Sequence, residues 1–121
     1  TKTYGVDLVC SESTVRLVPQ FAYREIDRVR VKGKEAPVTI YEPFRSFQSL
    51  SGLEREELSL NAEALGYYRK QNWKQASESF CNLRDKSDKP SRYMIYLSRI
   101  EHFIQNSPPS GWDGVFDHLT K

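Results

Sequence analysis

In the stretch FAYREIDRVRVK, positions 21 to 32, Val29 and Val31 alternate with Arg28, Arg30 and Lys32. That is the period-two pattern of a strand with one buried face. Gly33 supplies turn freedom, and Pro37, which cannot donate to a ladder, fits a strand start. VTIYE, positions 38 to 42, is rich in β-formers, so the two runs predict a hairpin. Ahead of it, VDLVCS (6 to 11) is a short strand candidate. SESTVRLV reads as a brief helix, capped by Ser11 or Ser13 and stopped by Pro19.

From about Pro43 the pattern changes, and EPFRSFQSLSG reads as a linker. Ser51 followed three residues later by Glu54 is a capping-box pattern that opens a helix. Leu58, Ala62, Leu65 and either Tyr68 or Arg69 continue at helical spacing, and Asn72 interrupts as a turn and cap. Trp73, Ala76, Phe80 and Leu83 recur at three and four, predicting a second helix that buries this stripe. After the polar break RDKSDKP, a third helix carries Tyr93, Leu97, Ile100 and Ile104 on one face, with Arg92, Arg99 and Glu101 elsewhere. The closing NSPPSGWDGVFDHLTK reads as an extended segment whose Trp112, Val115 and Phe116 dock back onto the helices. The expected class is α+β: a small hairpin or sheet at 1–44, a linker at 45–52, and an antiparallel helical bundle at 53–121.

Composition narrows the function. The 121 residues suit one domain, and 38% hydrophobic with 12% aromatic residues is enough for a folded core. Eighteen Lys and Arg against 16 Asp and Glu leave no overall field that would draw in nucleic acid or an anionic membrane. No apolar run approaches the roughly 20 residues that span a bilayer, and TKTYGVDLVCSES has no signal-peptide layout. The chain therefore reads as soluble, without direct membrane insertion or a nucleic-acid partner. Cys10 and Cys81 are far apart and lack CxxC spacing, which predicts reduced, mostly buried thiols. His102 and His118 have no partner of metal-ligand type nearby in sequence, and no Walker loop, GxSxG or nucleophile–base pairing is present.

YYRKQNWKQASESFCNL, positions 67 to 83, is similar to the tetratricopeptide pattern: an aromatic pair, a polar turn, an aromatic, then Ala76 with Phe80 four residues later. A small residue at Ala76 lets two antiparallel helices approach, while Phe80 fills the groove between them. Gln71 stands where that turn usually carries glycine, and only one copy is visible; an ordinary helical hairpin is the other reading. One such unit cannot bury its own face, so it must pack on the third helix, the sheet or another chain.

FAYREIDRVRVKGKEAPVTIYEPF, together with TKTYGVDLVCSEST before it, resembles the carboxy-terminal end of the catalytic domain of class III adenylate/guanylate cyclases. In that family a strand ends in Val-Lys-Gly-Lys, turns, and returns as a strand that completes the sheet. The resemblance covers about the first 44 residues. The helical tail with its PPSGWDGVF close is similar to the extension found in bacterial members. It implies conversion of ATP to 3′,5′-cyclic AMP and pyrophosphate by a homodimer with sites at its interface, using two Mg2+ or Mn2+ ions held by aspartates. By the same resemblance, Lys32 contacts the nucleotide's terminal phosphates. The metal aspartates, the adenine-selecting residues and the Asn-x-x-x-Arg pair belong upstream of TKTYG. They have no matching position here, and neither Asp7 nor Asp27 qualifies as a metal ligand. The implied protein is the cytoplasmic C-terminal portion of an intracellular signalling enzyme, with a membrane-anchored sensor protein as a candidate parent. This stretch alone is expected to be inactive. Two plainer readings stand beside it: Lys-Gly-Lys as a solvated turn, and the helices as a protein-interaction or dimerisation module without a catalytic role.

Overall fold

The computed structural model of the chain describes residues 3–30 and 36–116. The fold is α+β. A three-stranded antiparallel sheet in the order β1-β3-β2 is built from β1 (Cys10–Ser11), β2 (Phe21–Val29) and β3 (Val38–Ser46). A short helix α1 (Glu12–Leu17) lies between β1 and β2, and α2 (Gly52–Arg69), α3 (Trp73–Lys86) and α4 (Ser91–Gln105) follow the sheet. No helix among the described residues is long and apolar enough to cross a membrane.

The hairpin pairs Val29 with Val38 and Glu25 with Tyr41; Val29, expected on the buried face, is only half-buried, and Val31 lies outside the described residues. Two irregularities shape it. Phe21 faces Ser46 while Tyr23 faces Pro43, and Glu25 faces Tyr41 while Asp27 faces Ile40, so Ile26 is an extra residue on β2. A bulge of this kind shifts the phase of the pleat. Ala22, Arg24 and Ile26 are buried in alternation, and then Asp27, the very next residue, is buried too.

Several boundaries differ from the sequence reading. The strand expected over 6–11 is reduced to Cys10 and Ser11, although Val6 is buried. β3 runs through Pro43 to Ser46, so the first residues of the segment read as linker belong to the sheet. Proline is tolerated there because β1 pairs only with Ile40 and Tyr41, leaving β3 beyond Tyr41 unpaired on that side. Ser11 is the N-cap of α1, and its hydroxyl accepts from the Thr14 N–H.

The capping box opens α2: Ser51 Oγ accepts from the Glu54 N–H at 3.0 Å, and Glu54 Oε1 accepts from the Ser51 N–H at 2.9 Å. Ser51→Ala should lower stability by about 1 kcal/mol, measured as a shift of the urea midpoint at unchanged slope. The buried stripe of α2 is Asn61, Ala64, Leu65 and Tyr68; Ala62, expected inside, is exposed. Gln71 takes the left-handed conformation, φ +63°, at the turn into α3, where glycine would carry no steric cost. Asn72 occupies the N-cap position of α3 without a side-chain capping bond.

The core lies among α2, α3 and α4. Ala76 is fully buried and Phe80 stacks on Tyr96 with ring centroids 4.7 Å apart. Trp112 and Phe116 pack onto this cluster and Val115 is buried, so the closing segment docks as its apolar residues predict. On α4 the buried face is Tyr93, Tyr96, Arg99, Ile100 and Phe103, whereas Ile104, expected inside, is 62% exposed.

Candidate functional site

The chemistry-bearing side chains of the described residues gather between the sheet and the helices, in two charged networks. The first centres on Asp27, which the Ile26 bulge turns toward α4. Its carboxylate accepts from Tyr4 Oη, Tyr96 Oη and Arg99 Nη1, each at 2.9 Å, and from the Arg28 N–H at 2.8 Å. Tyr96 Oη also lies 2.6 Å from the Ile26 carbonyl, and Asn61 Nδ2 donates to the Glu25 carbonyl at 3.0 Å, so helix side chains hold both sides of the bulge.

Asp27 and Arg99 are 1% and 3% exposed. Burial alone would lower the pKa of Arg99, but Asp27 beside it and the Tyr96 phenol reverse the sign, and the guanidinium stays charged. Burial, with Asp27 adding to it, pushes the Tyr4 phenol up to about 12, so it remains a hydrogen-bond donor. Arg99 Nε and Nη2 and the Tyr68 hydroxyl are buried without a hydrogen-bond partner. The Arg99 guanidinium lies over the Phe116 ring at 4.6 Å, which compensates it through the ring's negative face.

The second network centres on Glu42 of β3. Arg24 Nε donates to it at 2.8 Å and Arg92 Nε at 2.9 Å. Arg92 also reaches Glu57 of α2 at 3.0 Å, and the Tyr93 hydroxyl donates to the same Glu57 oxygen. Arg24 Nη1 continues to Asn61 Oδ1 at 3.3 Å. Burial would lower the pKa of Arg92, but Glu42 and Glu57 raise it. Sheet and helices are thus joined by oriented ion pairs as well as by apolar surface.

Of the residues singled out from sequence, Lys32 and His118 lie outside the described residues. Asp7 is exposed and paired with Lys89 at 2.8 Å. His102 sits against Phe103 and Phe116 with ring centroids 5.5 and 5.9 Å away. Cys10 and Cys81 are free, half-buried thiols. No group of three or more His, Cys, Asp or Glu that could hold a metal occurs among the described residues.

Sequence periodicity placed Arg99 off the buried face of its helix; the structure buries it because Asp27 is there to receive it. Arg24, Glu42, Glu57, Asn61 and Tyr96 were likewise not singled out. Their only sequence signal is negative: polar residues standing at positions that a 3.6- or 2-residue period assigns to the interior.

A cleft of about 530 Å³ opens beside the second network, with Phe44, Leu53 and Leu60 among its walls. Its cations are all paired within the chain, Arg45 with Glu54, Lys86 with Glu56, and Arg92 with both Glu57 and Asp88, so none is left over for an anionic ligand. No family model, curated protein or solved structure matches the chain.

Proposed function

We propose that this chain is the C-terminal portion of a class III adenylate cyclase, in which the hairpin completes the catalytic sheet and Lys32 contacts the terminal phosphates of ATP. The supporting observation is the β2–β3 hairpin. Its strands pair antiparallel up to Val29 opposite Val38, and the connection between these paired ends carries Val-Lys-Gly-Lys. A short helix and a two-residue strand, β1, stand before it in chain order.

In the proposed reaction the ribose 3′-oxygen bonds to the α-phosphorus, the bond from that phosphorus to the bridging oxygen breaks, and pyrophosphate and a proton leave. Lys32 serves as a point charge against the negative charge that develops on the departing phosphates. The reaction's divalent metals find no holding group among the described residues, where Asp27, Glu42 and Glu57 are all engaged by arginine. The metal aspartates and the ribose-orienting pair belong upstream, and the enzyme works as a homodimer. The α2–α3 pair, as a tetratricopeptide-like unit, supports the sheet and offers a protein-interaction surface. ATP rather than a membrane or nucleic acid is the partner of this part, and the cytoplasm is its location.

The test is cyclic AMP formation from ATP with Mg2+ or Mn2+ by a protein extended upstream to the whole catalytic domain. Lys32→Ala should lower turnover by about 100-fold, the scale of losing one charge-stabilising donor, and residues 1–121 alone should be inactive. An extended protein that forms no cyclic nucleotide from ATP or GTP would refute the proposal.

A further inference from the structure

We infer that the cleft of about 530 Å³, formed by the end of β3, α2, the end of α3 and the α3–α4 connection, docks a peptide segment of a partner protein in which apolar side chains are flanked by lysine or arginine. The inference rests on the reading of the helices as an interaction surface and is independent of the cyclase chemistry.

Charge is the first property that selects this occupant. Two arginines, Arg24 and Arg92, serve three carboxylates, Glu42, Glu57 and Asp88. Arg92 holds Glu42 at 2.9 Å and Glu57 at 3.0 Å, and its contact with Asp88 is longer, at 3.3 Å. The cleft's other cations are committed, Arg45 to Glu54 at 2.7 Å and Lys86 to Glu56 at 3.2 Å, and Lys89, next to Asp88 in the chain, is taken by Asp7 at 2.8 Å. The network therefore carries one carboxylate more than it has cations. Asp88, whose side chain is 91% exposed, presents that surplus to solvent. An ammonium or guanidinium arriving there gains a partner, whereas an anion meets like charge. The half-exposed Lys86–Glu56 pair is weak enough to exchange one partner for another, so Glu56 can receive a second cation.

Apolar surface is the second. Phe44, Leu60 and the buried Leu83 line the cleft, and Leu53 in the first turn of α2 lines it while 76% exposed. Arg92 lies over the Phe44 ring at 4.6 Å, so the charged network and the apolar wall adjoin. A small amine seated against Phe44 would leave Leu53 in water. A chain that continues past it covers both and supplies more than one cation.

The test is fluorescence anisotropy on the full-length protein at about 0.15 M salt. The labelled probes are the peptide Gly-Lys-Leu-Phe-Lys-Gly, its counterpart with glutamate for both lysines, and its counterpart with serine for leucine and phenylalanine. The lysine peptide should bind more than about tenfold tighter than either of the others. Asp88→Asn should weaken its binding about threefold and Leu53→Ser about tenfold. Both should leave the urea midpoint unchanged, because both side chains are exposed. Asp85→Asn, which removes an exposed carboxylate that does not line the cleft, should leave the affinity unchanged.

Equal affinity for the lysine and glutamate peptides, or insensitivity to both cleft variants, would overturn the inference while leaving the helices an interaction surface. Self-association abolished by Leu53→Ser would give the cleft to a second copy, and benzylammonium binding as tightly as the peptide would give it to a small amine; either overturns the inference. If none of the peptides binds at about 1 mM, the inference and the interaction surface fall together. Cyclic AMP formation is read separately and is untouched by each of these results.

Discussion

Asp27→Ala should destabilise the protein by about 3–5 kcal/mol, read as a lower urea midpoint, because it leaves Arg99 charged and buried with no carboxylate. Arg99 already has Nε and Nη2 without partners, so removing Asp27 takes away its one charge-assisted bond, at 2.9 Å. The same change deprives the half-buried Tyr4 hydroxyl of its acceptor, whereas Tyr96 keeps the Ile26 carbonyl at 2.6 Å. Arg99→Met should cost less. Asp27 would then keep donors from Tyr4, Tyr96 and the Arg28 N–H, and the two unpartnered guanidinium nitrogens would be gone. The ordering of these two variants tests the geometry directly: a loss below about 1 kcal/mol for Asp27→Ala would mean that water reaches the pair.

Phe80→Ala should cost a comparable amount, about 3–5 kcal/mol, by the loss of buried ring surface together with the cavity left behind. The Phe80 ring is fully buried, stacked 7° from parallel on Tyr96, with Tyr93 at 6.3 Å. Both tyrosines carry a charged network: Tyr96 on Asp27, and Tyr93 on Glu57. Phe80 therefore supports the orientation of the hydroxyls that join the helices to the sheet. Its variant and Asp27→Ala should combine to less than the sum of their separate effects, because each disturbs Tyr96. Strict additivity in the double variant would show that the aromatic core and the charged seam are independent.

Much of this architecture was legible in the chain because local periods and caps are local physics. The alternation around Val29, the Ser51 and Glu54 pair, and the three-and-four spacing of Trp73, Ala76, Phe80 and Leu83 each require only neighbouring residues to agree. The candidate site was less legible. Asp27 meets Arg99 across 72 residues and Glu42 meets Arg92 across 50, and no periodicity links such positions. A helical face drawn by hydrophobicity sends a guanidinium to solvent, which is why Arg99 was placed outside and Ile104 inside. The Ile26 bulge was equally invisible, since an extra residue in one strand is defined only against its partner. Pro43 marked the expected end of the strand, yet β3 continues past it where one side of the strand lies unpaired.

The way the bulge is held also bears on self-association. β2 is an outer strand of the described sheet, and such a strand ordinarily offers its carbonyls as a template for another chain. At Glu25 and Ile26 those acceptors are taken by Asn61 and Tyr96, and the extra residue breaks the regular spacing that an incoming strand would need. Fibril growth or accidental pairing along β2 is thereby discouraged at its centre. On the other side of β3, past Tyr41, Pro43 breaks the row of donors that an incoming strand would need.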